Sequence, residues 1–493
     1  MSLLVHLPAL LVIAPLTGAC ASFVAGRRLA PYVALTVAAV NGALALALAA
    51  RVLAEGPWRY RIGGWGAPVG IDLVADGTAA LFLVLAAAVG LAVTVYASAY
   101  FRSSDPSAYG HGLFWALWLF MWTSINGLFL TGDVFNVYVC IELVGISAVT
   151  LVTLSGGADA LRAGLRYLFA SMLGAMTYLL GVALLYAAAG TLDMAMLRQT
   201  LVADTTAATG LAFMVAALVL KTALVPAHFW LPTAHASAPT PVSAALSALV
   251  VKGSYFVMLR LLLDVAPPGY LGGIDIALGV LGSAAIIWGS VQALMQDRIK
   301  LLVAYSTVAQ IGYLFLVFPL ARAGGDVLAL ALGGTLVHVI SHGLAKAGLF
   351  LGAGSLITRF GHDRIADMAG AARALPVLAL GVSLAGVTMM GLPPSGGFAA
   401  KWLLVSAALA TGQWWWAVVL VTGGLLAAAY MFRLIRILLA GGDPELRPSA
   451  SPLRTEWVPL ALSAAAVMLV FAVPLIVRLA DAGTTLLAAG VTP

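Results

Sequence analysis

Only five lysines occur in the 493 residues, and four of them, Lys221, Lys252, Lys346 and Lys401, fall inside long apolar runs. A lysine near the centre of a membrane helix costs about 2.5–3.5 kcal/mol on insertion scales. A chain that accepts this cost repeatedly uses those residues. Charge at the surface is left almost wholly to arginine. That division suits proton chemistry, because a desolvated lysine can give up its proton near neutral pH while arginine stays charged. One acid matches the lysines. Glu142 lies about nine residues into its apolar run, roughly 13 Å deep at the rise of an α-helix. This is close to the middle of a hydrocarbon core about 30 Å thick. A lone buried carboxylate stays neutral, so Glu142 is expected to pair with Lys221. Moving the two apart would release the lysine's proton, which makes the pair a switch. A static ion pair fixing two helices is the competing reading.

The segment HVISHGLAK adds His338, His342 and Lys346 at i, i+4 and i+8, roughly along one helical face. Histidine titrates near neutral pH, so this line suits a proton relay; hydrogen-bonded packing is the alternative. Two histidines four apart can also hold a metal, but no nearby carboxylate or cysteine completes a site and the motif is not HExxH, so no metal is expected. His228 and His235 flank a proline-bearing break, where they either pass protons towards water or satisfy freed carbonyls. No Walker loop, no GxGxxG after a strand and no CxxC pattern is present, so no cofactor is expected. The energy source is then an ion gradient or a partner.

These residues need membrane helices to position them. The chain is 62% hydrophobic and 9% charged, against about a quarter charged in soluble domains. It reads as an all-α, multi-pass membrane protein forming a single membrane domain over 1–493. The net charge of +6 is scattered through short loops and forms no nucleic-acid-binding run. Apolar runs predict fourteen spans: 3–25, 30–53, 78–101, 111–131, 133–154, 163–191, 209–232, 240–264, 272–294, 300–320, 327–357, 375–405, 413–440 and 456–480. The first lacks a basic n-region and is read as a retained helix. Trp414 to Trp416 read as part of an aromatic belt. Loops after odd-numbered spans hold fourteen basic residues, Arg447 among them, and the opposite side seven, Arg260 among them. That bias puts the odd loops in the cytoplasm and both termini outside. Asp133, Asp297 and Lys300 are expected to cap helix ends.

An internal repeat is visible. Span 5 opens DVFNVYVCIE (Asp133 to Glu142) and span 10 opens DRIKLLVAYS (Asp297 to Ser306), with Glu142 and Ser306 at the same offset. Span 7 breaks at Pro226, and span 12 breaks at GLPPSGG, from Gly391 to Gly397, with Lys401 beyond. Paired Gly/Pro breaks point to a transporter built from repeats. Spans 4–8 (111–264) are therefore matched with spans 9–13 (272–440) as two inverted five-helix repeats, after an N-terminal part (1–110) and before a last helix (456–480).

The stretch LVLKTALVPAHFWLPTAHASAPTPVSAALSALVVKGSY resembles the signature of the antiporter-like membrane subunits. These are the proton-translocating subunits of NADH:quinone oxidoreductase, related hydrogenase subunits and the large subunits of Mrp-type cation/proton antiporters. The likeness runs from about residue 70 to 440 and includes Glu142, the HxxxHxxxK of span 11 and GLPPSGGFAAK. It implies that Glu142 and Lys221 form a coupling pair, and that Lys252, His338, His342 and Lys401, with Lys346 beside them, continue a proton path along the membrane midplane. The N-terminal GGWGAPVGIDLVADGTAALF and the predicted span count resemble the D-type Mrp component more than the respiratory ones. That likeness implies a bacterial cytoplasmic-membrane complex with a large A-type subunit and small subunits, exchanging Na⁺ for H⁺. A proton-pumping subunit of NADH:quinone oxidoreductase or of a membrane-bound hydrogenase is the alternative.

Overall fold

Without water to satisfy its backbone, a chain this apolar must hydrogen-bond internally, which in lipid means helices. The computed structural model describes residues 3–103, 110–267, 270, 272–441, 452 and 454–488. It opens with α1 (Leu7–Glu55), then an antiparallel pair β1 (Trp58–Arg61) and β2 (Asp72–Ala75). There follow α2 (Gly77–Ser103), α3 (Gly110–Leu130), α4 (Val134–Thr153), α5 (Gly157–Ala189) and the short α6 (Met194–Thr200). Next come α7 (Thr205–Thr222), α8 (Leu231–Ser237), α9 (Thr240–Val265), α10 (Ile274–Met295), α11 (Ile299–Ala321) and α12 (Gly325–Phe360). The chain continues with α13 (Pro376–Met390), α14 (Gly396–Ala410), α15 (Trp414–Leu439), α16 (Arg454–Met468) and α17 (Val473–Ala488).

The chain is a multi-pass membrane protein. Twelve described helices are long and apolar enough to cross a membrane, thirteen if α13 and the short bent segment before it, Ala366–Ala374, count as one span. The fourteen predicted spans map onto them unevenly. Spans 3–25 and 30–53 share α1, which bends at Gly26 (φ 67°) rather than ending there. Span 375–405 is divided between α13 and α14, of 15 residues each. Each half covers only about 22 Å, less than a hydrocarbon core. Arg447 and most of the loop 441–455 lie outside the described residues.

Connections alternate between two faces. Leu73 bridges to Thr131 and Asp133 to Asp193, which gathers the loops after spans 2, 4 and 6. Arg298 bridges to Arg364, and Arg433 donates to the Gln296 carbonyl at 2.8 Å, which gathers the loops after spans 9, 11 and 13. Helices α9 and α12 form the centre, and every residue from 333 to 356 is buried. Large apolar side chains such as Phe169, Leu173 and Leu180 face outward, as a bilayer or a neighbouring subunit requires. Trp414 and Trp415 are exposed, but Trp416 is packed inside, so only two of the three fit a belt.

Both predicted breaks are present and end alike. Helix α7 closes on Ala223 (φ 58°, ψ 40°) and α13 on Gly391 (φ 79°, ψ 44°), both left-handed. The following amide then reaches back: Leu224 N donates to Val219 O and Leu392 N to Val387 O, each at 3.1 Å. This Schellman-type cap satisfies carbonyls that water cannot reach. Ala223, which carries a Cβ, holds a conformation that costs roughly 1–2 kcal/mol.

Candidate functional site

Lys221 stands one residue before the end of α7, 8% exposed. Two glycines give it a slot. A Cβ on Gly174 of α5 would sit 3.0 Å from its Cγ, and one on Gly145 of α4 would sit 3.8 Å from its Nζ. The ammonium donates to Ser171 Oγ at 3.0 Å. The expected ion pair is not formed: no Glu142 oxygen lies within 4.0 Å of it among the described residues. Glu142 is only half-buried, on the outward side of α4 beside the exposed Ile146, and its Oε2 is buried without a partner. The serine on α5 lies nearer the slot than the carboxylate does. A neighbouring cavity of about 20 Å³, lined in part by Ser171, Lys221, Trp230 and Ser254, has room for one water. Trp230 stacks on Tyr167 at 4.2 Å and donates to the Leu220 carbonyl at 3.0 Å, holding the break against the end of α7.

A second cluster fills the centre. Lys252 on α9 is fully buried and donates to the Ser247 carbonyl, in a widened π-type turn, Leu246–Val250. Such turns recur at functional sites because they misalign backbone carbonyls. Ser247 Oγ and Thr307 Oγ1 of α11 are 3.0 Å apart, and Thr307 donates to Val303 O. Lys346 on α12 donates to the same Val303 carbonyl at 2.9 Å and to Ser306 Oγ. The predicted histidine line is present: His338 and His342 stack at 5.5 Å. His338 Nε2 meets the Gln310 carbonyl at 3.1 Å, while both His342 ring nitrogens are buried without a protein partner. Buried polar atoms of this kind cost about 1–3 kcal/mol each unless water or a moving side chain reaches them.

Lys401 closes the row. Its ammonium donates to Met389 O at 2.9 Å and Met390 O at 3.2 Å, the carbonyls that end α13, and lies 4.7 Å over the Tyr313 ring. Gln310 Nε2 donates to the same Met389 carbonyl at 3.2 Å. Helix α11 thus joins the histidines to the second break.

The remaining predicted residues stand apart. His235 on α8 is buried and stacked on Phe350 at 4.7 Å. His228 is half-buried in the turn between α7 and α8. Asp133 caps α4, Asp297 accepts from Arg433, and Lys300 donates to the Ala238 carbonyl at the end of α8. Arg260, counted above with the loops, is instead inside α9 and 7% exposed, paired with Asp76 and Asp264. Asp76, just before α2, is fully buried in this pair. Nearby, Arg59 holds both Asp72 at 3.3 Å and Asp193 at 3.2 Å. Burial pushes the Asp72 carboxyl above its usual range, against the pull of Arg59.

Residue-type reasoning missed Ser171, Ser247, Thr307 and Gln310. Ser306, Thr307 and Gln310 stand close together in the otherwise apolar AYSTVAQIGY, which is a usable signal. Ser171 in FASMLGAM looks like any small packing residue.

Known proteins resemble this chain in sequence and in fold. Residues 131–427 match the family model described as NADH:quinone oxidoreductase/Mrp antiporter, TM. The N-type subunit of an NADH-quinone oxidoreductase from Desulforudis audaxviator is 38% identical, over 89% of this chain and 88% of that one. The D-type subunit of a Na(+)/H(+) antiporter from Alkalihalophilus pseudofirmus is 30% identical, over 73% of this chain and 72% of its own. A chain in the Mrp complex from Dietzia sp. DQ12-45-1b superposes with a TM-score of 0.88 at 25% identity, covering 100% of this chain and 98% of that one. A chain of an archaeal membrane-bound sulfane sulfur reductase gives the same TM-score at 26% identity, covering 98% of each. With more than half its length matched by the family model, the chain belongs to the NADH:quinone oxidoreductase/Mrp antiporter transmembrane family.

Proposed function

We propose that this chain is the proton-conducting subunit of a multi-subunit monovalent cation/proton antiporter driven by the proton gradient. The observation that carries the reading is the row of buried lysines and histidines from α7 to α14. Protons pass along the row from Glu142 and Lys221 by Lys252, Lys346, His342 and His338 to Lys401. Hydroxyls and backbone carbonyls steady the four lysines and His338. His228 and His235 lie between the first break and the cytoplasmic side. Regions 111–264 and 272–440 act as the two inverted repeats, and their matching caps support this. Sodium is the cation by analogy with the D-type antiporter relative, and its site is assigned to neighbouring chains, a large A-type subunit and small subunits. The membrane is the bacterial cytoplasmic membrane, with both termini outside. The 38% identity to an N-type oxidoreductase subunit favours a second reading, in which the same path pumps protons in a redox complex.

One experiment separates them. The chain is expressed with its genomic neighbours in a host lacking its own antiporters, and proton flux is followed in inverted vesicles. If Na⁺ dissipates a respiratory pH gradient, and Glu142→Ala abolishes that response in an assembled complex, the antiporter reading holds. Proton uptake driven by a redox substrate, with no response to any cation, selects the pump. Undiminished transport by Glu142→Ala removes the proton path in either form.

A further inference from the structure

We propose that Ser171 is the positioning residue of Lys221, a second seat between which and Glu142 the ammonium swings; this rests on the proton-path reading above. The serine is buried at 5% exposure and makes no other hydrogen bond among those described. Its Oγ occupies the space that a side chain at Gly145 would fill, 2.3 Å from that Cβ position. Gly145 lies three residues after Glu142, about one helical turn along α4. The ammonium at this glycine is thus one turn from the carboxylate, within the sweep of a four-carbon stem. Gly174 lets the stem lie flat, so the slot guides rather than clamps it. The two seats differ in kind. Glu142 offers a charge and Ser171 only a neutral oxygen, so the lysine at Ser171 has left its counter-ion without losing all hydrogen bonding. Ser254 of α9 lines the one-water cavity beside this seat, which places the lysine next to the helix that carries Lys252. A proton leaving Lys221 from the serine seat therefore departs towards the centre of the row rather than back to Glu142.

A packing role and a seating role predict opposite outcomes. If Ser171 only fills space, Ser171→Ala is harmless and Ser171→Thr, which adds a methyl to a tight slot, is damaging. If it seats the ammonium, Ser171→Ala lowers cation-dependent proton flux per assembled complex about tenfold, the loss expected for a hydrogen bond to a charged group. Ser171→Thr, which keeps the hydroxyl, then retains at least about half of the flux. Gly145→Ala provides an independent perturbation, since its methyl displaces the Ser171 hydroxyl and is expected to reproduce the loss even where Ser171→Ala fails to assemble. Wild-type flux in Ser171→Ala or in Gly145→Ala overturns the proposal, as does a Ser171→Thr as slow as Ser171→Ala. Glu142→Gln runs alongside. If it is inactive while Ser171→Ala is fully active, only the role of Ser171 is lost. If it transports normally, the proton-path reading falls and takes this role with it.

Discussion

Gly391→Ala tests whether the second break seats Lys401. The glycine holds φ 79°, where a residue with a Cβ loses roughly 1–2 kcal/mol. A Cβ there also meets Lys401 Cδ at 2.7 Å and Nζ at 3.3 Å. The first distance is too short to persist, and the lysine is the flexible partner, so the lysine moves. It then gives up part of its hold on the Met389 and Met390 carbonyls. A hydrogen bond to a charged group contributes about 1.5–3 kcal/mol. Losing one slows a step that depends on it by roughly ten- to a hundredfold. The assay is cation-dependent proton flux in inverted vesicles, normalised to assembled complex. Gly391→Asn separates the two contributions, because asparagine enters the left-handed region readily yet still carries the Cβ. The expectation is that Asn is as slow as Ala. Flux within about twofold of wild type in Gly391→Ala, or full recovery in Gly391→Asn, refutes the seating argument.

Lys221→Arg keeps the charge but not the exchangeable proton, so transport is expected to fall towards background; normal vesicle flux would reduce the lysine to a counter-charge. Arg260→Met leaves Asp76 buried without its partner and is expected to lower stability by about 3 kcal/mol, read as an earlier thermal unfolding transition of the purified complex. An unchanged transition would show that the triad carries no net stability. Gln310→Leu removes the amide on the Met389 carbonyl and is expected to slow flux several-fold without affecting assembly; flux equal to wild type would exclude α11 as the link between the histidines and Lys401.

Much of this is legible in residue types and spacing. Apolar runs place the helices, because hydrocarbon excludes nearly everything else. Val225 and Pro226, and the pair Pro393–Pro394, mark the breaks because proline cannot continue a helix. The lysines stand out because each is expensive where it lies. Their partners do not. Lys252 and Lys401 are held by backbone carbonyls, and every residue has one, so no side chain announces the contact. Which carbonyl is open depends on a widened turn at Leu246–Val250 and on a cap at Gly391, and hydropathy registers neither. Charge alone pairs Lys221 with Glu142. Its seat at Ser171 follows from two glycines on different helices, a relation no linear spacing expresses. Arg260 reads as a loop residue because its place near the end of an apolar run does not say whether the last turn is wet.

The two breaks share a cap but use their lysines in opposite ways, and this bears on direction in the proposed path. Lys221 precedes its cap and reaches sideways towards α5, with a carboxylate one turn off along α4. Lys401 follows its cap and reaches back to the carbonyls of α13, with no carboxylate in contact among the described residues. A counter-ion holds a proton on its lysine; a carbonyl steadies the ammonium but adds no charge. Helix α11 carries Ser306 at the offset where α4 carries Glu142, and Ser306 accepts from Lys346. If 111–264 and 272–440 are the two repeats proposed above, the second carries a neutral hydroxyl where the first carries a carboxylate. A proton that reaches Lys346 or Lys401 meets no opposite charge to trap it, and its departure leaves none behind. In the proposed path, electrostatic control of the row would therefore sit at the Glu142 end, with the lysines of the second half responding to it.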